Sequence, residues 1–329
     1  MEVYLMEVYR TKDNEVSKFV HYNGAETAIK TVSSCDNEVD RNGHIIVNDV
    51  DRRKFSVFIS SSVGCPVGCK FCYLTVKKYP YYKLSSEEIF DNFKNALDAE
   101  LEHKPELKDM YIKLSWMGMG DALFLDPRKF VRVTVEMLSY AMNAGIKGVD
   151  GVDVSTVMPP KALRKGWPHQ LGSLNDVLYS NFKLNPYNKH RSPLRLFYSL
   201  HSPLPYVRNK LIPLYKCEDV HEHIEKDLNA LEQIRFHYGV DYIIHYMFLE
   251  GQDDNSCIML LEKLMNDLKN VELRVLRYNT CDGSSFAESV KFDDIVMHLV
   301  GSVPKLKYQV SAGSEIKAAC GQFLCLTNK

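Results

Sequence analysis

The sequence predicts an α/β fold, a partial (β/α)6 barrel preceded by a small β-meander. Three observations predict it. Strand-like apolar runs alternate with helical periods from residue 54 onward, the residues before that alternate at period two, and a polar segment follows each predicted barrel strand. The chain divides accordingly into a β-rich extension, residues 1–54, and a barrel domain, residues 55–329.

Each element has its own signal. In the extension, Val3-Tyr4-Leu5-Met6, Phe19-Val20-His21-Tyr22 and Ile45-Ile46-Val47 are separated by Asp13-Asn14, Asn23-Gly24 and Asn42-Gly43. Such dipeptides suit tight hairpin turns. Residues 54–60 read as the first barrel strand. Ser85-Ser86-Glu87-Glu88 forms a capping box that opens a helix to about His103. A strand at 110–116 leads to Met117-Gly118-Met119-Gly120-Asp121, and Pro127 starts a helix towards Ala144, proline suiting a first turn. Strands at 151–155, 194–200, 242–249, 271–277 and 306–310 are interleaved with helices at 219–238, 254–268 and 293–300. Six strand–helix units are too few for a full eight-stranded barrel, hence a partial one. In folds of this kind the site lies at the C-terminal ends of the strands.

Composition narrows the function classes. With 45% hydrophobic and 25% charged residues and a net charge of -1, the chain is ordinary for a soluble protein and is not a globally basic nucleic-acid binder. A polyanion would have to meet a local patch. The apolar runs are too short for a membrane span and the start lacks a charged-then-apolar leader. Nine cysteines without export point to thiols kept for metal or redox chemistry in a reducing compartment, so the expected location is the cytoplasm.

The most informative stretch is Gly64-Cys65-Pro66-Val67-Gly68-Cys69-Lys70-Phe71-Cys72-Tyr73. Three thiolates on one short loop, spaced C-x3-C-x2-C, suit three irons of a [4Fe–4S] cluster and leave the fourth iron open to a substrate. Zinc sites favour C-x2-C pairs with a second pair at a distance, and the chain has no second C-x2-C or H-x3-H pair. The loop resembles the signature of radical S-adenosylmethionine (SAM) enzymes.

Other segments at predicted strand ends offer ligand contacts. Gly118, Gly120 and Asp121 can bring backbone carbonyls and a carboxylate to a cation such as the SAM ammonium, although a glycine pair after a strand also makes a plain turn. Ser155, Ser199 and Asn279 suit hydrogen bonds to a carboxylate, ribose or adenine edge, or serve as caps. His201 is a ligand contact or a satisfied loop histidine. Cys320 lies among small neighbours that would expose its thiol; the alternative is a buried structural cysteine. Between Trp167 and Arg195, the residues Tyr179, Phe182, Lys183, Tyr187, Lys189, His190 and Arg191 mix aromatic and basic character. That mixture fits either base stacking and phosphate neutralisation or a solvated loop.

Together these segments resemble the RlmN/Cfr family of radical SAM RNA methyltransferases, from about Glu7 to Phe323. The resemblance rests on Val57–Cys65, Met117-Gly118-Met119-Gly120-Asp121, Val154-Ser155-Thr156, Ser199-Leu200-His201-Ser202-Pro203, Tyr278-Asn279 and, most specifically, Ala319-Cys320-Gly321-Gln322. It implies a cluster on Cys65, Cys69 and Cys72, and SAM near Gly118, Gly120, Asp121, Ser155, Ser199, His201 and Asn279. Cys320 would be the catalytic thiol: one SAM methylates it, and a radical made from a second SAM removes hydrogen from that methyl before carbon adds to an adenine. The implied partners are a nucleic acid, RNA first, and an electron donor such as flavodoxin, with the chain a monomer and no membrane involved.

The chain departs from the family pattern in three places. The family's resolving cysteine lies seven residues before the first cluster cysteine, where this chain has Phe58; Cys281, Cys325 and Cys35 are the conceivable substitutes. Asp121-Ala122 replaces the family's Glu-Pro. The family's helical N-terminal domain is expected to be missing, and the 167–195 segment is longer than the family pattern leads one to expect. Two further readings follow: a radical SAM enzyme with a different outcome on the same scaffold, and a non-catalytic metal-cluster protein that binds nucleic acid.

Overall fold

The computed structural model describes residues 6–31, 37–39, 45–46, 53–159, 166–188, 192–214, 222–280, 282–309 and 312–318. Strands β1 (Glu7–Arg10), β2 (Val16–Val20) and β3 (Glu26–Lys30) are consecutive antiparallel partners. The turns between them are those the sequence marks: Asn14 and Gly24 take positive φ, and Asn23 Oδ1 accepts from the Ala25 N–H. A second antiparallel pair, β4 (Asn37–Val39) and β5 (Ile45–Ile46), follows.

Next come β6 (Lys54–Phe58), a short hairpin of β7 (Ser62–Val63) and β8 (Tyr82–Lys83) enclosing α1 (Tyr73–Val76), and α2 (Ser86–His103). The order continues with β9 (Tyr111–Trp116), α3 (Pro127–Asn143), β10 (Gly148–Thr156), α4 (Trp167–Asn181) and β11 (Leu194–Ser199). The remainder is α5 (Pro205–Leu211), α6 (His223–Tyr238), β12 (Asp241–Met247), α7 (Asn255–Asp267), β13 (Glu272–Leu276), α8 (Phe292–Ser302) and β14 (Leu306–Gln309).

One 12-stranded sheet runs β1-β2-β3-β6-β9-β10-β11-β12-β13-β14-β4-β5. Every neighbouring pair from β6 to β14 is parallel, and antiparallel pairs flank that run on both sides. The α/β class with a parallel sheet, expected from the alternation of strand and helix signals, is borne out. The strand at 3–6 falls mainly outside the described residues; β1 begins at Glu7.

Period two decides what each face of the sheet carries. Ile112, Leu114, Val152, Val154, Leu194, Leu196, Ile244, Leu273 and Val275 join the main core under the helices. Their alternates Lys113, Asp153, Arg195, Phe197, His245 and Arg274 face the other way, yet all are buried. Charges on that face are paired: Arg195 bonds Asp153 at 2.6 Å, Lys113 approaches it at 3.6 Å, and Arg274 bonds Glu272 at 2.6 Å. Arg195 and Arg274 both lie over the Phe197 ring. Pairing is the condition for burying such groups without a large desolvation loss.

The predicted helix starts hold. Ser85 accepts from Glu88 N–H at 3.1 Å while Glu88 accepts from Ser85 N–H at 2.8 Å, completing the capping box. Asp126 caps α3 just before Pro127. The segment after β10 gives a different result from an aromatic–basic loop. It forms α4, which buries Trp167, Leu171, Leu174 and Leu178, spaced by three and four residues, against α3 and α6. After α4 the chain returns along the start of β10, where Val149 N–H donates to Lys183 O and Asn185 N–H to Val149 O. Exposed Tyr187 and Lys183 therefore lie at the N-terminal end of the strands, away from the cysteine loop. Lys189, His190 and Arg191 lie outside the described residues.

Candidate functional site

The cysteine loop leaves β6 at the C-terminal edge of the sheet and ends in α1, whose N-cap is Cys72. Cys65, Cys69 and Cys72 form no disulfide and are half-buried. Backbone bonds fix the turn: Cys72 N–H donates to Cys69 O at 3.0 Å. Three neighbouring strand ends are stitched to this loop. Gly118 N–H donates to Ile59 O at 3.0 Å and Ser61 N–H to Met119 O at 2.9 Å, continuing the β6–β9 pairing into the loop. Lys70 N–H donates to Leu211 O at 2.8 Å, tying in the end of α5 after β11. From the end of β13, the Tyr278 hydroxyl donates to Phe71 O at 3.1 Å.

Gly118 and Gly120 serve this stitching. An added Cβ on Gly118 would stand 2.7 Å from the Ile59 carbonyl, and one on Gly120, at φ +89, would stand 2.2 Å from Ser62 Oγ. What these two glycines admit is the chain's own Ile59–Ser62 segment, in addition to any ligand nearby. Asp121 is likewise committed within the chain. Its carboxylate accepts from Leu123 N–H at 2.9 Å, Val157 N–H at 2.8 Å and the Thr156 hydroxyl at 2.9 Å, which joins the ends of β9 and β10. Burial pushes the Asp121 carboxyl up to about 6 against those three donors.

Ser155 and Ser199 sit at the ends of β10 and β11 on the sheet face that points away from the helices, half-exposed. Asn279 follows Tyr278 at the end of β13 and is half-buried. His201, at φ +54, is buried edge-on to Phe71 with ring centroids 5.2 Å apart. Burial, then the nearby Arg208 charge, pushes its pKa down to about 3, so the ring is neutral at ordinary pH. Cys320 lies outside the described residues, as do Cys281, Cys325 and Cys35.

Arg208 is a contributor that sequence reasoning missed, and Tyr278 was read there only as part of the Tyr278-Asn279 segment. Arg208 is fully buried, donates from Nη2 to Val157 O at 3.0 Å and Ser199 O at 3.2 Å, and stacks over Tyr198 at 5.0 Å. A seven-residue helix is too short to reveal its buried face by periodicity, so the sequence carries no signal for this arginine.

The buried imidazoles set a pH dependence. His201 and His21, the latter pushed down to about 4 by burial, have folded pKa values below the unfolded value of about 6.5. Their contribution is present above pH 6.5 and is lost as pH falls through the folded values. As pH falls, each imidazole therefore lowers the unfolding free energy of the apoprotein between pH 6.5 and 4, against Asp121 and Glu26, whose raised carboxyls add stability over the same range. His201→Asn or His21→Gln should each remove up to about 1.4 kcal/mol per pH unit of that lowering. Urea titrations at stepped pH check this; an unchanged slope in both variants contradicts it.

The residues present fit a [4Fe–4S] cluster. Three thiols on one loop held by backbone bonds supply soft ligands, and the buried Arg208 guanidinium, with Nε and Nη1 unsatisfied, lies on the helix tied to Lys70. Burial pushes the unligated Cys65 thiol up to about 12 and Cys69 well above its usual range, and the thiols raise one another; iron ligation reverses this by displacing the proton. Among the described residues no three His, Cys, Asp or Glu side chains converge to hold a single metal ion, whereas a cluster takes each thiolate on its own iron.

No protein-family model matches the chain. Individual proteins do. The chain is 26% identical over 278 residues to the dual-specificity RNA methyltransferase RlmN of Wolinella succinogenes, covering 83% of this chain and 67% of that protein. It is 26% identical to the probable RlmN of Dictyoglomus turgidum, covering 84% of this chain and 72% of that one. Among solved structures, a radical SAM methyltransferase from Sphaerobacter thermophilus matches 96% of this chain and 80% of its own, with a TM-score of 0.61 at 21% identity, which speaks for the fold. At about 25% identity over more than four fifths of the chain, these similarities support a divergent RlmN-like sequence.

Proposed function

We propose that this protein is a radical SAM methyltransferase that methylates an adenine carbon in RNA through Cys320. The observation that carries the reading is the packing at the end of the described chain. Ile316 and fully buried Ala318 share a small core with Phe58, Leu74 and Met119, against which Cys65 and Cys72 pack. Cys320 is two residues beyond Ala318, a reach of at most about 7 Å. A C-terminal thiol tethered there is within range of chemistry at the cysteine loop.

In this reading Cys65, Cys69 and Cys72 hold the cluster. The cluster and SAM, once bound and reduced by a one-electron donor such as flavodoxin, supply a carbon radical able to abstract hydrogen. Ser155, Ser199 and Asn279, at the ends of three strands, offer hydroxyl and amide groups to the polar parts of SAM. Asp121 keeps two strand ends in register, and its charge acts on SAM through that position. Exposed Tyr81, Tyr82 and Phe124, with exposed Lys77, Lys78 and Lys83, border the loop and suit stacking on unpaired bases and pairing with phosphates. The chain acts as a monomer in the cytoplasm; among the described residues no helix is long and apolar enough to cross a membrane.

Phe58 favours a second reading, a radical SAM enzyme whose reaction ends differently. Phe58 stands at the sequence position of the family's resolving cysteine, with Lys30 Nζ 4.8 Å from its ring centre. Cys257, the free described cysteine outside the loop, is buried on α7. One experiment separates the two. Reconstituted protein is incubated with reductant, methyl-deuterated SAM and cellular RNA, and the digested RNA is analysed by mass spectrometry. Label on adenosine supports methylation. RNA covalently held by the protein without release supports the second reading. Neither product contradicts both.

A further inference from the structure

Arg208 has more donors than the protein uses. Its side chain is among the largest fully buried ones in the chain, and only Nη2 is hydrogen-bonded. Nε and Nη1 are buried without a partner, and no carboxylate pairs with the guanidinium among the described residues. A buried cation left unpaired costs several kcal/mol, so a position like this one calls for an anion. The surroundings place these unused donors next to the cysteine loop. Nη2 is anchored on the carbonyls that end β10 and β11, Val157 O and Ser199 O. The C-terminal residue of the same helix accepts the Lys70 N–H at 2.8 Å, so α5 is bound to the residue after Cys69. Leu211 and Ile212 share a core cluster against which Cys65 and Cys69 pack.

We propose that Arg208 is a positioning residue for the cluster: its guanidinium is the counter-charge on the Cys69 side of the loop and holds the reduction potential up. The proposal rests on the reading of Cys65, Cys69 and Cys72 as cluster ligands. Adding an electron makes the cluster more negative, and a fixed buried cation favours that state. Arg208 thereby makes one-electron reduction easier than it would be beside a neutral side chain. The competing account makes Arg208 a plain cross-link between two carbonyls.

The test compares wild type, Arg208→Met and Arg208→Lys as full chains, reconstituted anaerobically and titrated by spectroscopically monitored reduction. Arg208→Met should shift the midpoint to lower potential, and Arg208→Lys should restore part of that shift. Urea unfolding of the apoproteins is the second readout. The methionine variant should be no less stable than wild type, because an uncompensated buried charge has been removed along with two carbonyl bonds. A methionine variant with the wild-type midpoint overturns the proposal. So does an apoprotein of that variant that is strongly destabilised or fails to fold, since Arg208 is then a structural cross-link. If wild type itself takes up no iron, the underlying cluster reading fails instead, and the wild-type sample alone reveals that.

Discussion

Replacing Cys69 by Ser is expected to remove the cluster almost completely. Bound iron should fall from about four per chain to below one, because a serine hydroxyl cannot stand in for a soft thiolate ligand. The apoprotein should change little, since Cys69 is half-buried and the loop is held by backbone bonds to Leu211 and Met119 and by the Tyr278 hydroxyl donating to Phe71 O. Cys257→Ser is the control. That thiol lies on α7, whose N-terminus is capped by Asp254 accepting the Cys257 N–H at 2.8 Å, and its loss should leave iron uptake intact. Iron assay and absorption spectra after reconstitution decide the matter. Full iron content in Cys69→Ser would remove this residue from the ligand set.

A single methyl group at Gly118 should cost the fold about 1–3 kcal/mol and impair cluster assembly with it. The added Cβ would meet the Ile59 carbonyl carbon and oxygen and Ser60 Oγ, each at 2.7 Å. Ile59 O is the acceptor for Gly118 N–H, and Ser60 Oγ accepts from Met119 N–H while donating to Glu26 O. No flexible side chain can absorb the overlap, because the obstacle is backbone. The strand feeding the cysteine loop must move, and β3 is tied to it through Ser60. Denaturant unfolding measures the first effect and iron content the second. An alanine variant as stable as wild type would show that the strand ends are less tightly joined than these distances state.

Much of this was legible in the chain because it is local. The capping box at Ser85 and Glu88, the proline opening α3 and the asparagine turns of the first hairpins depend on neighbours a few residues apart. The cysteine spacing is local too. Partnership across the fold is another matter. Period two marks the first 55 residues as β-rich, but it says nothing of β3 pairing with β6 while β4 pairs with β14 at the other side of the sheet. Helix α4 was hidden by its surface: Tyr179 and exposed basic neighbours masked the Trp167, Leu171, Leu174, Leu178 stripe.

At the site, the positions of Gly118, Gly120 and Asp121 after a strand could be read, whereas their engagement with Ser60–Ser62 and Thr156 could not. Hydrogen bonds between loops 35 or more residues apart leave no periodic trace. Arg208 was invisible for the same reason: its importance comes from two strand-end carbonyls and a cysteine loop brought to its helix by the fold.

The central claim is that the cysteine loop drives SAM chemistry towards Cys320. Anaerobically reconstituted protein, given SAM and a reductant, can be analysed for 5′-deoxyadenosine and, by peptide mass spectrometry, for the state of Cys320. The account predicts 5′-deoxyadenosine that disappears in Cys69→Ser, together with one methyl group on Cys320. 5′-Deoxyadenosine with Cys320 unmethylated would contradict the route through that thiol, and no 5′-deoxyadenosine from iron-loaded protein would contradict the account as a whole.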